Sequence, residues 1–235
     1  SRYFVNSMDA FVVLSDSVKE ELRQFDQVKP CLVTPHPTYD HYGNLLSKAE
    51  AANLLGLDAS MRYILFFGFI RDYKGLDVLM RAYADKRMEQ RNIRLIVAGE
   101  FYNNADKYYA LAKELGLEGK IHWFSDYIPN EEVTRFFSVA DLVVQPYKTA
   151  TQSGISQMAY HFEKPMVVTA VGGLPEIVPH GKVGYVVPVD DKAVADAVVD
   201  FFDHHTAADF AAYIKEEKKK YTWENFCNVV RQYFL

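Results

Sequence analysis

In the stretch FFGFIRDYKGLDVLM, residues 66–80, an apolar run reaches Gly68 and two cations, Arg71 and Lys74, follow before an apolar-periodic segment begins. Where a buried strand hands over to a helix, part of each cationic side chain loses water, which disfavours its charge. An anionic ligand offsets that cost, because charge-assisted hydrogen bonds to phosphate are stronger than neutral ones. The alternative for Arg71 and Lys74 is a solvated loop. Other chemistries find less support. The chain has no Asp-x-Asp pair, and its seven histidines show no metal-ligand spacing backed by cysteines or carboxylates, so no metal is expected. His204 and His205 are adjacent and read as solvated surface. Gly-x-Ser-x-Gly and Gly-x-Gly-x-x-Gly are both missing, which removes the usual support for a hydrolase or a dehydrogenase.

Glycines recur where apolar runs end: Gly68 after RYILFF, Gly99 after IRLIVA, Gly154 in TATQSGISQ, and Gly172 with Gly173 after PMVVTAV. Glycine lets a backbone approach a ligand closely, and a helix starting just after such a turn offers unpaired N–H groups to phosphate. SGISQMAYHF is the candidate helix. Singly, each glycine only permits a tight turn. Their coincidence with Arg71 and Lys74 points to an anion held by amides and two cations, the common solution for a diphosphate.

Elements that position these residues are legible as an alternation. DAFVVLS, CLVTPH, RYILFFG, IRLIVAG, KIHWF, ADLVVQP, PMVVTA and VGYVVP are mostly continuous apolar runs, as in strands buried on both faces of a parallel sheet. Between them DSVKEELRQF, SKAEAANLLGL, GLDVLMRAYADKR, ADKYYALAKELGL, NEEVTRFFSVA, SGISQMAYHF and DKAVADAVVDFFDHH carry apolar residues at helical spacing. The fold class is α/β, a Rossmann-like doubly wound parallel sheet that binds ligands at the carboxyl ends of its strands. Ser17 with Glu20, Asn130 with Glu131 and Glu132, and Asp190 with Asp191 are expected helix caps.

The 235 residues are 49% hydrophobic, enough for a sizeable core, and a net charge of -5 argues against nucleic acid as a partner. Two distant cysteines, Cys31 and Cys227, make no disulfide framework, so a reducing, cytoplasmic setting is expected. No apolar run approaches the roughly 20 residues of a membrane span, and no signal peptide is recognisable. The opening SRYFVNS begins inside a patterned segment, as expected of a piece of something longer.

GFIRDYKG, VAGE, WFSDYIP, ADLVVQPY and SGISQMAYHFEKPMVVTAVGGLPEIV, in that order, resemble the nucleotide-sugar-binding half of a GT-B-fold retaining glycosyltransferase of the group 1 (family 4) type. The likeness divides the chain into residues 1–50, the end of an acceptor domain and its linker; residues 51–220, the donor-binding domain; and residues 221–235, a helix crossing back. It implies a nucleotide diphosphate sugar as donor, no cofactor or metal, and a saccharide or lipid-linked saccharide acceptor held by an N-terminal domain, through which peripheral membrane association would arise. Arg71 and Lys74 would act on the donor diphosphate as the catalytic cations, with Gly68 making room and the amides of Ser153, Gly154 and Ile155 facing it. Gly99, Glu100, Tyr127 and Ile128 would surround the nucleobase, and Glu176 would stand beside the nucleotide unless it is only a helix-start acid. The family's Glu-x7-Glu pair is missing: its first position falls at Thr151 and its second at Met158 or Ala159, leaving Gln152 and Gln157 as the nearest groups able to bond sugar hydroxyls. A non-catalytic nucleotide- or phosphate-binding module, a GT-B-fold nucleotide-sugar epimerase and a pure interaction domain are the rival readings.

Overall fold

The computed structural model describes residues 2–39 and 41–235, so Ser1 and Asp40 of the 1–50 segment lie outside the described residues. A small first unit comprises α1 (Arg2–Asn6), β1 (Phe11–Val13), α2 (Asp16–Arg23) and β2 (Cys31–Val33). Its two strands pair in parallel around a separate cluster of Val5, Phe11, Val13 and Cys31.

In the larger unit helices separate every pair of successive strands. It begins with α3 (Lys48–Leu55), β3 (Arg62–Phe67), α4 (Leu76–Tyr83), α5 (Lys86–Gln90) and β4 (Ile93–Ala98). There follow α6 (Asp106–Glu114), β5 (Ile121–Phe124), α7 (Val133–Val139), β6 (Leu142–Gln145), α8 (Gly154–His161) and β7 (Met166–Thr169). The chain closes with α9 (Leu174–Ile177), β8 (Gly184–Val187), α10 (Asp191–His204), α11 (Ala207–Lys218) and α12 (Trp223–Phe234). Strands β3 to β8 form one parallel sheet in the order β5-β4-β3-β6-β7-β8, covered by helices. Five consecutive buried residues in β3 and four in β6 explain why these runs lack polar alternation.

The strand order reverses between β3 and β6. From β3 the chain builds outward through β4 and β5, then returns to the other side of β3 with β6. Loops leaving β3 and β6 therefore diverge and open a crevice, the place where doubly wound sheets bind ligands. Arg71 and Lys74 follow β3, and Ser153 and Gly154 follow β6.

Two expected caps are corrected. Ser15, not Ser17, caps α2, its hydroxyl accepting from the Val18 amide at 3.3 Å, because the extended backbone leaves β1 at that residue. Asn130 opens a 3₁₀ turn over Asn130–Glu132, and α7 begins after it at Val133 without a side-chain cap. Asp190 caps α10 as expected, accepting from the Ala193 amide at 2.8 Å. No helix among the described residues is long and apolar enough to cross a membrane.

Candidate functional site

The loops after β3 and β4 are zipped together. Ile70 donates its amide to the Glu100 carbonyl at 2.8 Å and accepts the Tyr102 amide at 3.1 Å. Arg71 is thereby laid against Tyr102, its guanidinium carbon 4.1 Å from the ring centroid, in cation–π geometry. A 3₁₀ turn over Asp72–Lys74 then ends at Gly75, whose φ is 68°. A Cβ there would lie 1.9 Å from the Pro146 carbonyl oxygen, so only glycine lets this turn pack against the exit from β6.

That packing folds Lys74 inward. It is only 8% exposed, and among the described residues its ammonium makes no hydrogen bond or ion pair. Expecting a solvated loop is wrong for Lys74, though Arg71 is exposed. The neighbouring acids are engaged elsewhere: Asp72 binds Lys107 and accepts from the Tyr108 hydroxyl at 3.2 Å, while Asp77 binds Lys148 at 2.7 Å. Desolvation, reinforced by the charge of Arg71, lowers the Lys74 ammonium from its ordinary 10.5 to about 8. The chain thus keeps a desolvated cation without a carboxylate partner, an arrangement that favours anion binding.

The first turn of α8 faces this cation. A Cβ added at Gly68 would meet Lys74 Nζ and Ile155 Cδ1, each at 3.1 Å. Ser153 is buried, its hydroxyl 3.2 Å from that of Tyr147 and accepting the Ile155 amide at 3.2 Å. The Ile155 amide is therefore spent on the cap and is withdrawn from the expected anion donors. The amides of Ser153 and Gly154 meet no acceptor among the described residues. Inside the core, Ser156 donates to Gln145 Oε1 at 3.1 Å and ties α8 to β6.

Beside this corner lies an open cavity of about 140 Å³. Gly68, Gly99, Glu100, Tyr127 and Ile128 line it together. Gly99 has φ 134°, and a Cβ there would fall 2.5 Å from the Gly68 carbonyl oxygen, so the two glycine turns can touch only without side chains. The Glu100 carbonyl is taken by Ile70, whereas the backbones of Tyr127 and Ile128 have no partner among the described residues and are free to bond a ligand edge. Tyr42, Phe67, Phe69, Asn130, Val133 and Met158 complete the wall and were missed as site residues. The aromatic-rich PTYDHYG segment was the available signal for Tyr42. Met158 puts an apolar thioether at one of the two positions where the second family carboxylate would stand.

Four expected site residues stand away from this wall. Thr151 is exposed and its carbonyl accepts the Gly173 amide at 3.2 Å. Gln157 is 1% exposed with both amide atoms unpartnered, and the Gln152 amide nitrogen is likewise buried without a partner. Glu176 accepts the amides of Asp16 at 2.8 Å and Ser17 at 3.1 Å. It therefore serves the N-terminus of α2, in the first unit, and does not line the cavity.

Comparison with known proteins bears on this geometry. A family model described as glycosyl transferases group 1 matches residues 61–204. D-inositol 3-phosphate glycosyltransferase of Corynebacterium aurimucosum is 29% identical over 193 residues, covering 78% of this chain and 46% of that protein. An uncharacterized glycosyltransferase of Methanocaldococcus jannaschii is 28% identical over 229 residues, 91% of this chain and 56% of that one. The chain thus spans about half the length of these relatives. Among solved structures, sucrose-phosphate synthase of Thermosynechococcus elongatus matches with a TM-score of 0.81 at 21% identity, over 99% of this chain and 60% of that one. HepE of Anabaena, solved with UDP and glucose, matches with a TM-score of 0.71 at 17% identity, over 95% of this chain and 61% of that one. At such identities these likenesses establish a shared fold.

Proposed function

The chain belongs to the group 1 glycosyl transferases, and from that premise we propose that it is the donor-binding half of a retaining glycosyltransferase using a nucleoside diphosphate sugar. The observation that carries this reading is the unpaired Lys74 ammonium, buried beside Gly68 where the β3–β6 crevice, the first turn of α8 and the cavity converge. A base in the cavity sets its diphosphate at Gly68, within reach of Lys74, of exposed Arg71 and of the Ser153 and Gly154 amides. As the bond from sugar to phosphate breaks, negative charge grows on the departing diphosphate. Fixed cations and helix amides stabilise that charge more than they stabilise the bound donor, which lowers the barrier without a metal. UDP, the nucleotide in HepE, is the nucleotide proposed for the donor here.

The acceptor side belongs to an N-terminal domain of which residues 1–50 form the end and linker, with residues 221–235 as the crossing helix. On this reading the chain binds donor but transfers little by itself. Titration calorimetry with UDP and with uridine, in the presence of EDTA, tests the assignment. UDP should bind at least tenfold more tightly than uridine, since a charged hydrogen bond contributes roughly 1.5–3 kcal/mol. Absence of UDP binding, or binding abolished by chelation, would refute it.

A further inference from the structure

Of the segment joining the small unit to the larger one, residues 38–39 and 41–46 lie beside the site. Thr38 donates its amide to the Tyr221 carbonyl at 2.7 Å, the Gly43 carbonyl lies 2.7 Å from His161 Nε2, and the Leu46 amide donates to Ser138 Oγ at 2.9 Å. Between these anchors, a Cβ placed on Gly154 would lie 3.2 Å from the Tyr39 hydroxyl. Tyr42 lines the cavity from the same segment, and Tyr127 lines it from the loop after β5. The Tyr42 ring is held by His41, with centroids 4.2 Å apart, and by Tyr39, edge-on at 6.0 Å. Tyr42 is half-buried, one side packed against the main core, and Tyr127 is exposed.

Resting on the donor reading, we propose that the linker is itself part of the donor site: Tyr42 and Tyr127 are two aromatic walls that clamp the planar base of a nucleoside diphosphate, so that donor occupancy fixes the linker on the larger unit. The cavity that both tyrosines line also presents apolar Phe67, Ile128 and Met158. Glu100 and Asn130 supply polar groups at its edge. Gly68 belongs both to the cavity wall and to the Lys74 corner. An occupant with a flat head that offers a π face and polar edges, joined to an anionic tail, fits this lining, and a nucleoside diphosphate has both whereas a simple sugar phosphate lacks the flat head. Stacking tolerates any base, because every base has a π face. The clamp accordingly contributes affinity, while the free backbone groups of Tyr127 and Ile128 choose among bases.

The test compares wild type, Tyr42→Ala and Tyr42→Phe by titration with UDP, uridine and inorganic pyrophosphate, and follows amide hydrogen exchange over residues 41–46 with and without UDP. Tyr42→Ala should weaken UDP and uridine alike by about tenfold, the scale of one lost base stack, and leave pyrophosphate unchanged. Tyr42→Phe should stay within about twofold of wild type. UDP should slow exchange over 41–46 in wild type and Tyr42→Phe, and not in Tyr42→Ala. Wild-type UDP affinity in Tyr42→Ala would overturn the clamp while leaving the donor reading intact. A loss shared by pyrophosphate would also overturn it, showing that Tyr42 holds the shape of the site. Failure of wild type to bind UDP would instead bring down the donor reading, and the clamp with it.

Discussion

A buried ammonium without a carboxylate partner costs the fold stability, and Lys74 is such a group. Its lowering from 10.5 to about 8, caused first by desolvation and then by Arg71, corresponds to about 3 kcal/mol at neutral pH. The sign follows from proton counting. Below about 8 the amine is charged in both folded and unfolded chains and the full cost is present; between about 8 and 10.5 the unfolded chain holds more protons, so this cost fades as pH rises. Ligand binding carries the opposite consequence. A diphosphate needs the charged form, so UDP affinity should fall as pH rises through about 8 in wild type, and calorimetry from pH 7 to 9.5 should show no such fall in Lys74→Met. A pH-independent wild-type affinity would mean that Lys74 does not meet the diphosphate. Arg71 and Lys74 were visible in the sequence because two cations follow Gly68 at the end of an apolar run. Their difference was not visible: what buries Lys74 is the contact of Gly75 with Pro146, 71 positions on in the chain.

Elements place these residues through two devices, the reversal of strand order between β3 and β6 and the pairing of the loops after β3 and β4. All eight strands were legible, since a strand buried on both faces is a continuous apolar run. The site that they build was legible in part. Gly68, Gly99, Glu100, Tyr127 and Ile128 meet in one cavity because each follows a neighbouring strand of the same sheet. For Tyr42 the aromatic-rich PTYDHYG segment was a signal without a position, because the path of a linker depends on long-range anchors such as the Ser138 hydroxyl, for which local sequence has no period. Glu176 was misplaced for a similar reason: its partners, Asp16 and Ser17, stand about 160 positions away. Replacing Glu176 with Ala should weaken α2 by about 1 kcal/mol, the usual worth of a helix cap. Amide exchange at residues 16–18 should accelerate, and UDP affinity should stay within about twofold. Loss of UDP affinity with α2 exchange unchanged would return Glu176 to the nucleotide.

The whole molecule divides the work unevenly. The larger unit contains the extensive core and every residue proposed to touch the diphosphate, whereas the small first unit packs around four buried side chains, and α12 buries none of its own. Exposed Tyr3, Phe4, Trp223, Tyr233 and Phe234 lie on these outer segments, which the proposed reading sets against an acceptor domain. On the proposed reading, donor binding rests on the larger unit and its linker, and stability is sacrificed there to keep a cation ready for the ligand, a common trade at functional sites. Lys74→Met exposes this trade most directly, since methionine approximates the length of the side chain and removes its charge. Thermal unfolding of ligand-free Lys74→Met at pH 7, with UDP and uridine titrations of the same protein, should show a melting temperature raised by several degrees, UDP affinity reduced tenfold or more, and uridine affinity unchanged. A lowered melting temperature with UDP affinity intact would contradict the account, because Lys74 would then hold the turn together and not the diphosphate.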